Sequence, residues 1–180
     1  MIFGGIIAIV CLQRFAELFI AKRNEKWMKQ QGAIEFGTSH YRWMVAMHIG
    51  YFLSLIMEVS YLDTDLSPIW GLWLAIFLAA QAGRVWALSS LGRYWNTKII
   101  VLPGANVVIK GPYKFIKHPN YLIVATEIIV MALLFNAFIT AVLFTCLNIM
   151  MMRVRIPEEE RALKSLTDYS TAFKAETHDS

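Results

Sequence analysis

Four apolar runs, at roughly residues 2–21, 43–62, 68–90 and 121–152, occupy most of this 180-residue chain. Crossing a hydrocarbon core of about 30 Å takes about 20 helical residues, and inside lipid every backbone N–H and C=O must find its partner within the protein. Runs of this length therefore predict membrane-spanning α-helices. Composition points the same way: 57% of residues are hydrophobic and 17% charged, where a soluble domain carries about a quarter charged. The expected class is an all-α, polytopic integral membrane protein. The first run is not expected to be a cleaved signal peptide, because it lacks a basic start and continues past Arg14 and Glu17 without a small-residue cleavage pattern.

The first three runs fit one span each. Run 121–152, as one straight helix, would reach about 48 Å, so it is expected to fold as a hairpin of two short helices turning near Asn136, which makes five spans. Segment 22–42 carries Lys22, Arg23, Lys26, Lys29 and Arg42, and segment 91–120 carries Arg93, Lys98, Lys110, Lys114 and Lys117 with no acid. The 62–68 link holds only Asp63 and Asp65. Basic loops stay cytoplasmic, so the N-terminus is expected outside, with both basic segments and the tail 153–180 inside. The net charge of +4 is then explained by topology and anionic headgroups, and no nucleic-acid partner is expected. Cys11 and Cys146 lie in apolar runs without metal or redox spacing and read as small buried hydrophobes. His40 and His48 have no third ligand nearby, so no metal site is expected. The final "AETHDS" is expected to fray.

Ionisable groups inside spans are costly unless they face a partner or water. Arg14 and Glu17, three apart, share a helix face and can pair. Arg84 and Glu127 are each about 9 Å deep from the same side. The four signify either a polar cavity or two interhelical salt bridges. Glu58 reads as a group snorkelling to the outer interface.

Segment 91–120, "LGRYWNTKIIVLPGANVVIKGPYKFIKHPN", is too long for a tight turn and too β-branched and aromatic for a disordered linker; loops of this kind usually bind something. Pro103-Gly104 and Gly111-Pro112 mark turns around "ANVVIK", which reads as an extended stretch. Pro119 pushes His118 away from helix and suits a helix start at "HPNY". In the tail, Pro157 followed by Glu158, Glu159 and Glu160 reads as a helix N-terminus whose acids complement the macrodipole. Arg155, just before it, would sit on the wrong side of that dipole and so points to an anion to hold.

"GPYKFIKHPNYL", a helical hairpin and then "RIPEEERAL" resemble the signature region of the isoprenylcysteine carboxyl methyltransferase family, integral-membrane enzymes that use S-adenosyl-L-methionine. The front, "QRFAELFIAKRNEKWMKQQGA", is similar to a bacterial branch associated with O-methylation of long-chain alkylpyrones. The resemblance implies a bacterial plasma-membrane O-methyltransferase with three N-terminal spans over 1–90 and a methyltransferase core over 91–180. It implies a cofactor held by Ala105, Asn106, Val107 and Val108, by Tyr113, by His118, Pro119, Asn120 and Tyr121, and by Glu159. It assigns Arg155 to the acceptor's anionic group and Arg84 to the active region, and it puts Lys98 where the family has a glutamine. The acceptor is expected to be a lipophilic small molecule from the bilayer, an alkylpyrone-type polyketide or alternatively a prenylcysteine carboxylate; the non-enzymatic alternative is a membrane scaffold or carrier subunit. Tyr113 and Tyr121 would offer faces to adenine, His118 a hydrogen bond, and Glu159 an acceptor for ribose or amino groups.

Overall fold

The computed structural model describes residues 2–175, so residues 176–180 of the expected frayed end lie outside the described residues. Chain order is α1 (Ile2–Gln30), β1 (Ile34–Phe36), α2 (Thr38–Tyr61), α3 (Trp70–Leu91), a 3-10 turn at Gly92–Tyr94, β2 (Ile99–Val101), a second 3-10 turn at Gly111–Lys114, α4 (Pro119–Leu134), α5 (Phe138–Leu166) and α6 (Tyr169–Ala175). Among the described residues four helices are long and apolar enough to cross a membrane, and α4 is a shorter apolar helix. Their outward faces carry large exposed hydrophobics such as Leu12, Phe15, Phe19, Leu53 and Val142. A water-facing surface would not tolerate so continuous an apolar area, and a bilayer requires it. Cys11 is half-buried and Cys146 exposed on this surface, so neither is the buried hydrophobe its run implied.

The chain forms two compact units, one of Met1–Thr38, Leu91–Ile109 and Glu158–Ser180, the other of Ser39–Ser90 and Lys110–Pro157. In the second unit the predicted hairpin turns where expected. Asn136 adopts φ +53°, a left-handed conformation its short polar side chain tolerates, and its amide donates to the Asp65 carbonyl at 3.1 Å. Ser67 N–H donates to the Leu134 carbonyl at 3.0 Å, satisfying a C-terminal orphan of α4. Glu58 does more than snorkel: its carboxylate accepts from the backbone N–H groups of Ile139 at 2.9 Å and Thr140 at 2.7 Å. A charge from α2 thus caps the positive end of α5. Below it, Ser54 bonds Thr140 at 2.8 Å, and the Tyr51 hydroxyl donates to the Ile128 carbonyl at 2.9 Å, tying α2 to both hairpin arms.

The two arms are unequal, which departs from the expectation of two short helices. The second arm, α5, runs 29 residues straight through Pro157. No new helix starts there, although proline removes the donor to the Arg153 carbonyl. Beyond it, Arg161 pairs with Glu158 at 2.7 Å and Lys164 with Glu160 at 2.9 Å, at helical spacings. Two of the three glutamates therefore hold the helix through side-chain pairs, and Arg155 lies mid-helix. The dipole argument for an anion beside Arg155 loses its premise.

In the first unit the β-branched "KIIV" makes a strand. β1 and β2 pair antiparallel with Ile34 opposite Val101, Glu35 opposite Ile100 and Phe36 opposite Ile99. Ile99, Val101 and Ala162 form a core with Phe36, Leu163 and Leu166. The extended stretch expected at "ANVVIK" carries no regular structure; the strand lies a few residues earlier. Buried Asn24 donates to the carbonyls of Gly92 at 3.2 Å and Trp95 at 2.7 Å, anchoring the chain as it leaves the 3-10 turn.

A four-charge network locks the strands to α1. Lys29 bonds Glu25 and Glu35, each at 2.6 Å, and Lys98 reaches Glu25 at 2.8 Å and Glu35 at 3.1 Å. Burial works to raise the Glu35 pKa, but hydrogen bonds from Lys29 and Lys98 outweigh it and leave the carboxyl below its ordinary value. For Lys98, burial pulls down and the Glu25 and Glu35 bonds push up, with a net rise. A lowered acid contributes stability above its unfolded pKa, and a raised base below its own. The melting temperature is therefore expected to hold across the neutral range and fall as pH drops through the carboxylate range, near 4. Glu35→Gln is expected to remove part of that acid limb, by about 1 kcal/mol or less because the pairs are partly exposed. An unchanged acid limb in a melting series of that variant would disprove the network's role.

Candidate functional site

The second unit holds most of the residues the sequence singles out. His118 takes φ −128° before Pro119, which occupies the first turn of α4 as its fixed ring allows. One turn later the Tyr121 ring meets the His118 ring edge to face, with centroids 5.7 Å apart. Asn120 lies between them in the sequence, and its side-chain oxygen is buried and has no hydrogen-bond partner among the described residues. Buried acceptors are nearly always satisfied, so this atom asks for a donor.

Seven residues further along α4, two turns on and hence on the same face, stands Glu127. Arg84 Nε of α3 donates to Glu127 Oε1 at 2.9 Å and Arg84 Nη2 to Glu127 Oε2. The guanidinium and the carboxylate are both buried. Of the two sequence readings for the embedded charges, ion pairing is what the fold displays: Arg84–Glu127 joins two helices, and Arg14–Glu17 pairs within α1 at 2.6 Å. A planar fork matched to a carboxylate is a strong, directional tie in a medium without competing water. It ties α3 to α4 at a point seven residues, about two turns, beyond Asn120.

Ahead of α4, Gly111 opens the turn that carries buried Pro112 and Tyr113. Gly111 has φ +56°, and a Cβ there would lie 2.1 Å from Ser90 Oγ and 2.7 Å from Trp86 Nε1. The backbone is pressed against α3, where Ser90 also donates to the Trp86 carbonyl at 2.7 Å. Gly111→Ala combines a left-handed backbone with overpacking and is expected to lower stability by about 2–4 kcal/mol; a melting curve superimposable on the parent's would contradict this packing. Arg155 of α5 is buried in this same unit, 4% exposed.

Ala105 to Val108 and Glu159 belong to the first unit. There the Val107 N–H donates to Asp168 Oδ1 at 2.8 Å, and Gly104 N–H to the Leu166 carbonyl at 2.8 Å, so the loop is pinned to the end of α5. Glu159 is half-buried. Burial, followed by the Glu160 and Glu159 carboxylates, pushes the Tyr169 phenol up to about 12. Lys98 is committed to Glu25 and Glu35. Sequence reasoning missed Asp168 and Tyr169, Ser90 and Trp86. Asp168 carries a signal, an acid immediately before a short helix, but that reads only as a cap; its bond to a loop 61 residues away needs the fold.

Residues 73–165 match the profile of the Isoprenylcysteine carboxyl methyltransferase (ICMT) family, more than half of the chain. The chain is similar to the uncharacterized protein YpbQ of Bacillus subtilis, 49% identical over 162 residues, which is 90% of this chain and 96% of that one. It is also similar to an uncharacterized protein of Haemophilus influenzae, 28% identical over 165 residues, covering 91% and 94%. No solved structure matches it significantly.

Proposed function

We infer that this chain, which belongs to the isoprenylcysteine carboxyl methyltransferase family, moves a methyl group from S-adenosyl-L-methionine to an oxygen of a lipophilic, anionic acceptor. The observation that carries the reading is Asn120, whose buried oxygen lacks a donor among the described residues, in the same first turn of α4 that carries Tyr121, whose ring meets that of His118. The cofactor has an ammonium and an adenine amino group to donate and an aromatic face to stack, so the residues present fit it. When bound, S-adenosyl-L-methionine would supply an electrophilic methyl on a sulfonium, with a neutral thioether as the leaving group.

The chain's own residues have then to bind, orient and exclude water. A carboxylate or an acidic ring hydroxyl is ionised near neutral pH, so no general base is assigned. Arg155 holds that oxyanion through paired donors and fixes its line of attack. Asn120 accepts from the cofactor, Tyr113 and Tyr121 offer ring faces, and His118 supplies a hydrogen bond and shape. Ala105 to Val108 offer backbone groups and Glu159 an acceptor. Arg84 acts through Glu127 as a positioning residue that keeps α4 in register. The resemblance of the N-terminal segment supports a long-chain alkylpyrone as acceptor, and the family's own description supports a prenylcysteine carboxylate.

Calorimetric titration of the detergent-solubilised protein with S-adenosyl-L-methionine tests the reading. Asn120→Leu is expected to weaken binding about tenfold, the loss of one charge-assisted hydrogen bond, and Asn120→Asp to retain it. Incubating a bacterial lipid extract with labelled methyl donor is expected to yield a labelled lipid whose mass identifies the acceptor. No heat at millimolar cofactor would overturn the enzyme reading in favour of a scaffold or carrier.

A further inference from the structure

The buried residues of α1 in its second half are Glu17, Ala21, Asn24 and Met28, spaced four, three and four apart, which defines the inward face. The opposite face reads, in order, Leu12, Phe15 and Phe19, all more than two-thirds exposed, and then Lys22, Arg23 and Lys26, also exposed. From Leu12 to Arg23 the helix rises about 16 Å, half the thickness of a hydrocarbon core of about 30 Å. One helix face thus spans one leaflet, apolar along its length and cationic at its end.

A fourth cation joins the cluster. The Arg93 guanidinium lies 5.3 Å above the Trp27 ring, and Trp27 meets Tyr94 edge to face at 5.9 Å. Trp and Tyr favour the headgroup level. Lys22, Arg23, Lys26 and Arg93 form no ion pair with any carboxylate among the described residues, whereas Lys29 and Lys98, a few residues away, are neutralised by Glu25 and Glu35. Holding Arg93 against an aromatic face keeps its donors oriented without cancelling its charge.

We propose that this face is a binding site for an anionic glycerophospholipid, with one acyl chain along Leu12, Phe15 and Phe19 and the phosphate held by Arg23 and Arg93, flanked by Lys22 and Lys26. A zwitterionic lipid brings its own cation into the cluster and is disfavoured there. A free phosphate gains nothing from the apolar half of the face. The residues of this face are not among those assigned to methyl transfer, and its readout does not involve activity.

Melting of the purified full chain in neutral detergent, with phosphatidylglycerol, phosphatidylcholine or inorganic phosphate added, decides the matter. Phosphatidylglycerol is expected to raise the melting temperature by several degrees, and half-molar salt to abolish most of that rise. Phosphatidylcholine and inorganic phosphate are expected to give little. Arg23→Gln with Arg93→Gln is expected to lose at least half of the phosphatidylglycerol response; Lys110→Gln with Lys114→Gln, equal in charge removed, is expected to keep it. Native mass spectrometry of retained phosphatidylglycerol gives the same comparison without unfolding. An equal rise with phosphatidylcholine, a rise reproduced by inorganic phosphate, or equal losses in both double variants would overturn the site.

Discussion

Glu127→Leu is expected to lower the stability of the protein by about 3–5 kcal/mol, because it leaves the Arg84 guanidinium buried between helices without its counter-charge. Arg84 is 3% and Glu127 6% exposed, and a hydrocarbon surrounding offers the stranded cation no water to relax into. The partner change Arg84→Met is expected to do comparable damage. Combining the two removes both charges and is expected to restore most of the lost stability, since two apolar side chains of similar volume satisfy the site by packing. Denaturant or thermal unfolding in detergent gives the three values and the coupling between them. Additive losses in the double variant would show that the pair is not the tie between α3 and α4. The double variant is also expected to bind S-adenosyl-L-methionine more weakly than the parent at equal melting temperature, since it lacks the pair that positions α4.

Arg155→Ala is expected to reduce turnover by a factor on the order of 100 or more while changing cofactor affinity only modestly. A group that holds a reacting oxyanion is felt mainly in the chemical step. Arg155→Lys is expected to recover only part, because a point charge cannot reproduce paired donors in a plane. Glu159→Gln is expected to behave in the opposite way, weakening cofactor binding with a smaller loss in saturated turnover. Initial rates at saturating cofactor, alongside titrations of the same preparations, separate these outcomes. Equal, small effects from both positions would remove the proposed division of roles, and a loss of turnover that tracks a loss of folded protein would make Arg155 structural.

Legibility varied with the range of the interaction. The hairpin at Asn136 was readable because a span longer than the bilayer must turn, and an asparagine inside an apolar run is the residue that tolerates the turn's left-handed backbone. The Arg14–Glu17 pair was readable because three residues of helix put both on one face. Arg84 and Glu127 were visible as costly charges at matching depth, but whether they line a cavity or meet each other depended on helix packing. Pro157 misled because a proline before three acids is a common helix start, and the pairs Glu158–Arg161 and Glu160–Lys164 that carry α5 past it compete with that signal. Glu58 likewise gave no hint of its two backbone partners, which come from another helix.

By itself the order of residues settles what kind of molecule this is. Apolar run length and backbone hydrogen bonding in lipid leave helices as the answer for "CLQRFAELFIA" or "IIVMALLF" whatever their neighbours do. The "HPNY" helix start follows from proline's locked dihedral in the same local way. Tertiary structure alone decided which polar groups find partners: Arg84 a carboxylate, Lys98 two, Val107 the side chain of Asp168, and the Asn120 oxygen none among the described residues. Those outcomes rest on where polar atoms from distant parts of the chain come within about 3 Å of each other, the reach of a hydrogen bond, and sequence periodicity carries no information at that distance.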